Sequence, residues 1–165
     1  MIVNTPQQTF RAALGQFFVK ETSTENLAAA RSLIERSETA GADLLVLPEC
    51  IIARKLGMPD WGQKHAEPLD GPFVSGLREA TRGRRVTVVC TVQAKIANES
   101  RYANDLLVIQ NGELRLTYQK IHLYDAFRGK ESSYAAPGDV LPQVLQIGPF
   151  KVGFLTCYDV RFPEM

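Results

Sequence analysis

Apolar and polar positions follow two different periods along this chain, and the order in which they follow them predicts a mixed α/β fold. Thr9 to Val19 (TFRAALGQFFV) is apolar on both faces and predicts a first strand. Asn26 to Ala40 then places Leu27, Ala30, Leu33, Ile34 and Ser37 on one side at helical spacing. Thr22 and Glu25, three residues apart, have the spacing of a capping box, and Gly41 stops the helix. Asp43 to Leu47 (DLLVL) is a short continuous apolar run of the kind buried on both faces of a sheet. Strand, helix and strand in that order form a βαβ unit, so the sheet is expected to have parallel neighbours here.

After a long connection from Pro48 to Asp70, Gly71-Pro72 opens a second predicted helix. Phe73, Leu77 and Ala80 face inward and Gly83 ends it. A loop of that length inside a compact domain is usually functional. Arg85 to Gln93 is β-branched and alternating, and Tyr102 to Gln110 and Glu113 to Gln119 flank Asn111-Gly112, the strongest short hairpin signal. Lys120 to Gly148 reads as mostly irregular. Gln143 to Ile147 and Phe150 to Thr156 predict a second hairpin across Gly148-Pro149. The last strand is expected to run into Cys157 and then into a helix whose first turn holds Pro163 and Glu164. The order βα, βα, then mostly β predicts a mixed sheet with helices on one side, and the strands are apolar on enough positions to call for a second covering layer.

Composition narrows the function. The chain has 165 residues, 45% hydrophobic and 22% charged, with a net charge of +1. That is one domain by size and ordinary for a globular protein, with no bulk charge to attract nucleic acid or an anionic membrane. No apolar run approaches the roughly 20 residues of a membrane span, and the first residues, MIVNTPQQTFR, lack a basic segment followed by an apolar one. The cysteines (Cys50, Cys90, Cys157) are odd in number and form no CxxC pair, so a cytoplasmic location is the default expectation. With His65 and His122 as the only histidines, no metal site is expected. The chain stops two residues after Pro163, too soon for a helix to sustain itself, so it reads as the N-terminal part of a longer domain.

Four polar residues stand at or beyond the ends of apolar runs: Glu49 after DLLVLP, Lys120 after LRLTYQ, Glu131 in the loop that follows, and Cys157 after VGFLT. Their types fit one mechanism. A thiolate at Cys157 attacks a carbonyl or nitrile carbon and forms an acyl intermediate. Glu49 takes the thiol proton and later activates water. The Lys120 ammonium, with the backbone N–H of Tyr158, offers a donor set for the oxyanion. Glu49 and Glu131 beside Lys120 would keep it charged. A turn at Cys157 with unpaired N–H groups is expected to favour thiolate over thiol. Each residue also has an ordinary structural reading. A lone cysteine in a strand is commonly a small buried hydrophobe, which is how Cys50 and Cys90 read. His122 could pair with Cys157 or face a substrate.

Taken together, LLVLPEC at 44–50, YQKIHLYDAF at 118–127, ESSYAAPGD at 131–139 and VGFLTCYDVRFPE at 152–164 resemble, in order and spacing, the nitrilase superfamily of carbon–nitrogen hydrolases. The resemblance implies an α-β-β-α sandwich, incomplete at its C-terminal end, and a Glu-Lys-Cys triad of Glu49, Lys120 and Cys157 supported by Glu131. It implies no metal or organic cofactor, water and a small amide as partners, and a homo-oligomer. The wording of the second and fourth motifs looks most like the Nit branch, the deaminated glutathione amidases, which hydrolyse an amide of a carboxylate-bearing substrate. Cationic groups would then be needed near the pocket, and Arg161, Arg128 and Lys130, with His122, are the candidates. A nitrilase or carbamoylase would use the same residues. An inactive fragment that only self-associates is the reading of another class.

Overall fold

The computed structural model describes residues 9–127 and 129–165. Its elements are β1 (Ala12–Leu14), α1 (Ser23–Thr39), β2 (Leu44–Val46), α2 (Trp61–Lys64), α3 (Pro72–Thr81), β3 (Thr87–Lys95), β4 (Tyr102–Gln110), β5 (Glu113–Gln119), β6 (Ala135–Ala136), β7 (Leu145–Ile147) and β8 (Phe150–Val152), with single 3-10 turns at Glu131–Ser133 and Cys157–Arg161. Strands β1 to β5 lie in sequence order in one sheet, with β6 added against β4. The β1–β2 and β2–β3 pairs are parallel, as the βαβ reading requires, and β3–β4 and β4–β5 are antiparallel.

Local chemistry explains the boundaries. Thr22 caps α1 by accepting from the backbone N–H of Glu25, while its hydroxyl donates to Glu25 Oε2 at 2.6 Å. Gly41 ends the helix with φ +68°, in the left-handed region open to glycine. In the β4–β5 turn Asn111 and Gly112 have φ of 50° and 79°, the two positive values of a type I′ turn. The N-terminal strand is much shorter than the apolar run that predicts it. Only Ala12–Leu14 pairs with β2, because β2 itself offers three residues of edge. The long connection after β2 carries the short helix α2.

The core lies on both faces of the sheet. On one side Ala30 and Ile34 of α1 and Phe73, Val74 and Leu77 of α3 meet Leu45, Val88, Cys90, Val92, Leu107 and Ile109. Burying each such large side chain contributes about 1.5–3 kcal/mol. On the other side Leu44, Val89, Leu106, Val108, Leu116 and Tyr118 meet Ile147 and Phe154, so the β7–β8 hairpin covers part of the second face. The last segment differs from its reading. Strand β8 ends at Val152, residues 153–156 have no regular structure, and the turn begins at Cys157 rather than at Pro163. Among the described residues no helix is long and apolar enough to cross a membrane.

Candidate active site

Lys120 is the centre of the site. It follows β5 on the same side as Tyr118, which turns its long side chain under the sheet edge rather than outward. Its backbone is pinned on both sides: its N–H donates to Asn104 O at 2.9 Å, and its carbonyl accepts from Gly138 N at 2.9 Å. The side chain is 1% exposed. Nζ lies 3.1 Å from Glu49 Oε1, and 3.1 and 3.0 Å from the two oxygens of Glu131. Burial alone would push this ammonium down, but the charges and hydrogen bonds of Glu49 and Glu131 outweigh it and hold its pKa above the ordinary value.

Both carboxylates are held in turn. Glu49, two residues beyond Leu47, accepts from Asn104 Nδ2 at 2.8 Å. Glu131 accepts the backbone N–H of Tyr124 on Oε2 at 2.7 Å. Asn104 was missed in reading the sequence, although an asparagine inside an otherwise apolar strand is the signal that finds it.

Cys157 opens its 3-10 turn with φ 49°, a left-handed conformation costly for a residue with a Cβ. Cys50 does the same with φ 56° on the opposite side. The Cys157 thiol is exposed to a cavity of about 500 Å³ that Glu49, Lys120 and Glu131 also line. Burial and then the Glu49 charge push its pKa up, with Lys120 opposing them. The resting sulfur is therefore a thiol, which corrects the expectation that the turn would favour thiolate.

The turn is locked from below by Asp159, which is fully buried. Its Oδ2 accepts from the Tyr118 hydroxyl at 2.7 Å and from Thr156 N at 3.2 Å. Its Oδ1 accepts the backbone N–H of His122 and the ring Nδ1–H, each at 2.9 Å. The carboxylate thus ties the Cys157 turn to the segment leaving β5. The spacing of Thr156 to Asp159, a hydroxyl and an acid three residues apart, was the unread signal.

The cation candidates fare differently. His122 neither pairs with Cys157 nor lines the cavity, because Asp159 holds its ring and Phe162 stacks on it at 3.5 Å. Arg161 and Lys130 are exposed and are not among the lining residues, since the turn and the 129–131 loop point them elsewhere. Arg128 lies outside the described residues. The cations that do line the cavity, besides Lys120, are Arg54 and Lys55. Tyr158 directly follows Cys157, and its ring packs edge-on against Tyr124 at 5.2 Å and Phe162 at 5.4 Å. No group of three or more His, Cys, Asp or Glu among the described residues could hold a metal ion.

A family model described as carbon-nitrogen hydrolase matches residues 11–165. The chain belongs to the carbon-nitrogen hydrolase family. Within this hydrolase family it is 35% identical over 153 residues to the deaminated glutathione amidase of Escherichia coli O157:H7, covering 93% of this chain and 58% of that protein. The fold matches a CN-hydrolase superfamily protein of Xanthomonas campestris, solved with an arsenic adduct in its active site. There the TM-score is 0.79 and the identity 26%, over 96% of this chain and 57% of that one. It also matches a mutant amidase from Nesterenkonia sp. AN1 in which acrylamide has added to the active-site cysteine, with a TM-score of 0.80 and 26% identity, over 95% of this chain and 61% of that one. The mixed α/β architecture is therefore that of the nitrilase superfamily, and the chain spans less than two thirds of these relatives.

Proposed function

We propose that the chain carries the amide-hydrolysing site of a carbon–nitrogen hydrolase and acts through a Cys157 acyl-enzyme. The observation that carries this reading is the buried Lys120 ammonium clamped between two carboxylates beside a thiol, at a cavity sized for a small molecule. Glu49 takes the Cys157 proton as sulfur attacks the amide carbon. The oxyanion is received by Lys120 Nζ and the Tyr158 N–H. The proton passes to the leaving nitrogen, ammonia departs, and a thioester remains. Glu49 then draws a proton from water, which attacks the thioester and releases the acid and the thiol. Glu131 keeps Lys120 charged and in place.

Because Cys157 rests as a thiol, proton removal and attack belong to one step, and the placement of Glu49 sets its rate. The finer reading is a short substrate with a carboxylate at the end away from the amide, as the name of the Escherichia coli relative suggests. Free thiols at all three cysteines support a reducing compartment such as the cytoplasm.

The test is ammonia release from a panel of small amides, with hydroxylamine added to trap the acyl group. A trapped hydroxamate that disappears in Cys157→Ser is expected, and full turnover by a folded Cys157→Ser protein overturns the assignment. Ammonia with an acid from a nitrile would point to a nitrilase, and carbon dioxide to a carbamoylase. One observation favours self-association as a second reading: Val140, Leu141, Val144 and Val160 are all at least 60% exposed. Light scattering recorded alongside ammonia release separates the two.

A further inference from the structure

The wall of the cavity opposite Lys120 is built by residues 50–54, which have almost no regular structure and are nevertheless held at nearly every backbone group. Cys50 N donates to Thr91 Oγ1 at 2.7 Å and Ile51 N to Thr91 O at 3.0 Å. Gln93 accepts from Ile52 N on Oε1 at 3.0 Å and donates from Nε2 to Cys50 O at 3.0 Å and Ala53 O at 2.9 Å. Asn26 Nδ2 donates to Ile52 O at 2.9 Å, and Arg54 N to Lys20 O at 2.9 Å. Gln93 and Asn26 are 2% and 0% exposed, so two buried amides hold an irregular stretch as firmly as a strand pair would. What the stretch ends on is the Arg54 side chain, at the cavity.

The charges around that cavity do not balance without it. Glu49 and Glu131 with Lys120 sum to one negative charge. Lys55 is engaged, 2.7 Å from Glu21 Oε2 and over the Trp61 ring at 4.8 Å. Arg54 is exposed to the cavity and makes no ion pair among the described residues. Burial and Glu131 push the Tyr134 phenol up, and the Arg54 charge opposes them, so the guanidinium faces the same enclosure as the Glu131 carboxylate. An anionic substrate entering past two carboxylates needs a cation at its far end, and a planar guanidinium receives a carboxylate with two parallel hydrogen bonds.

We propose that Arg54 is a specificity-determining residue that receives the carboxylate of a short ω-amide substrate while the amide lies at Cys157. This rests on the amidase reading of the site. It excludes no neutral amide but ranks it below its carboxylate-bearing counterpart by roughly 10- to 100-fold in kcat/KM, the scale of a charge-assisted hydrogen-bond pair.

The test compares two alkylating probes with one warhead, N-iodoacetyl-glycine and N-iodoacetyl-glycinamide, which differ only in carboxylate against carboxamide. Labelling of Cys157 is followed by mass spectrometry and peptide mapping in the unaltered chain, Arg54→Lys and Arg54→Gln. The expected result is faster labelling by the carboxylate probe, a preference lost in Arg54→Gln and partly kept in Arg54→Lys. No preference in the unaltered chain, or one that Arg54→Gln leaves intact, overturns the proposal. The same ratio is read in ammonia release from succinamate against butyramide. Probe preference without turnover of either amide refutes the amidase reading and leaves Arg54 as an anion receptor. Turnover of both amides with equal kcat/KM does the reverse.

Discussion

Asp159 Oδ1 accepts both the backbone N–H and the ring Nδ1–H of His122, each at 2.9 Å. That pair of bonds joins the Cys157 turn to the chain just beyond Lys120, so the nucleophile and the ammonium share one support. Asp159→Asn keeps the shape but turns an NH₂ group against donors that need an acceptor. It is expected to destabilise the protein by about 2–4 kcal/mol. Urea midpoints read this, and a change below about 0.5 kcal/mol would show that the network is dispensable.

Lys120→Met removes the charge that lets Glu49 and Glu131 stay ionised together. The loss is expected to be about 3–5 kcal/mol near pH 8, as for any broken buried pair. Two facing carboxylates raise each other's pKa in the folded state. Stability in the variant is then present at low pH and lost as pH rises, so part of the deficit should return by about pH 5. In the unaltered protein the raised Lys120 pKa contributes stability that is lost only above the ordinary lysine value of 10.5. A variant whose urea midpoint shows no slope between those conditions would count against the clamp.

Much of this arrangement could be read from the residues, and the exceptions share a cause. The period of α1, the Asn111-Gly112 turn and the strands Tyr102–Gln110 and Glu113–Gln119 follow from local chemistry that no distant part overrides. The lengths of β1 and β8 do not, because a strand extends only as far as its partner pairs with it. Glu49, Lys120, Glu131 and Cys157 stood out as polar residues at the ends of apolar runs. Arg54 did not, since its place depends on Gln93 and Asn26 reaching across from other elements. His122 was misplaced for a related reason: the chain bends after Gln119, and the face it would share with Lys120 in an extended strand no longer exists.

Glu49→Gln separates the two effects of that carboxylate on Cys157. Its negative charge raises the thiol pKa, second only to burial. Removing it should move the midpoint of iodoacetamide labelling at Cys157 to lower pH, with more thiolate at about pH 8. Amide turnover should nevertheless fall by about 10²-fold or more, because the general base is gone. A midpoint that stays put or rises would mean that Glu49 does not face the sulfur.

Asp105 sets a pH dependence unrelated to catalysis. It sits in β4 between Ala103 and Leu107, on the side facing the helices, and is 8% exposed. No hydrogen-bond donor reaches its carboxylate among the described residues, and burial pushes its pKa up from 3.8 to about 6. The folded state therefore prefers the protonated acid. Its contribution to stability is fully present below the unfolded value and is lost as pH rises through about 6. Two units correspond to at most about 3 kcal/mol, less what the remaining solvent contact screens. Asp105→Asn cannot ionise. Whatever its fixed cost, its stability relative to the unaltered protein should improve by about 1–3 kcal/mol between about pH 4 and pH 8. Urea titrations of both proteins at the two pH values decide it, and parallel stability curves would falsify the assignment of a desolvated carboxylate at this position.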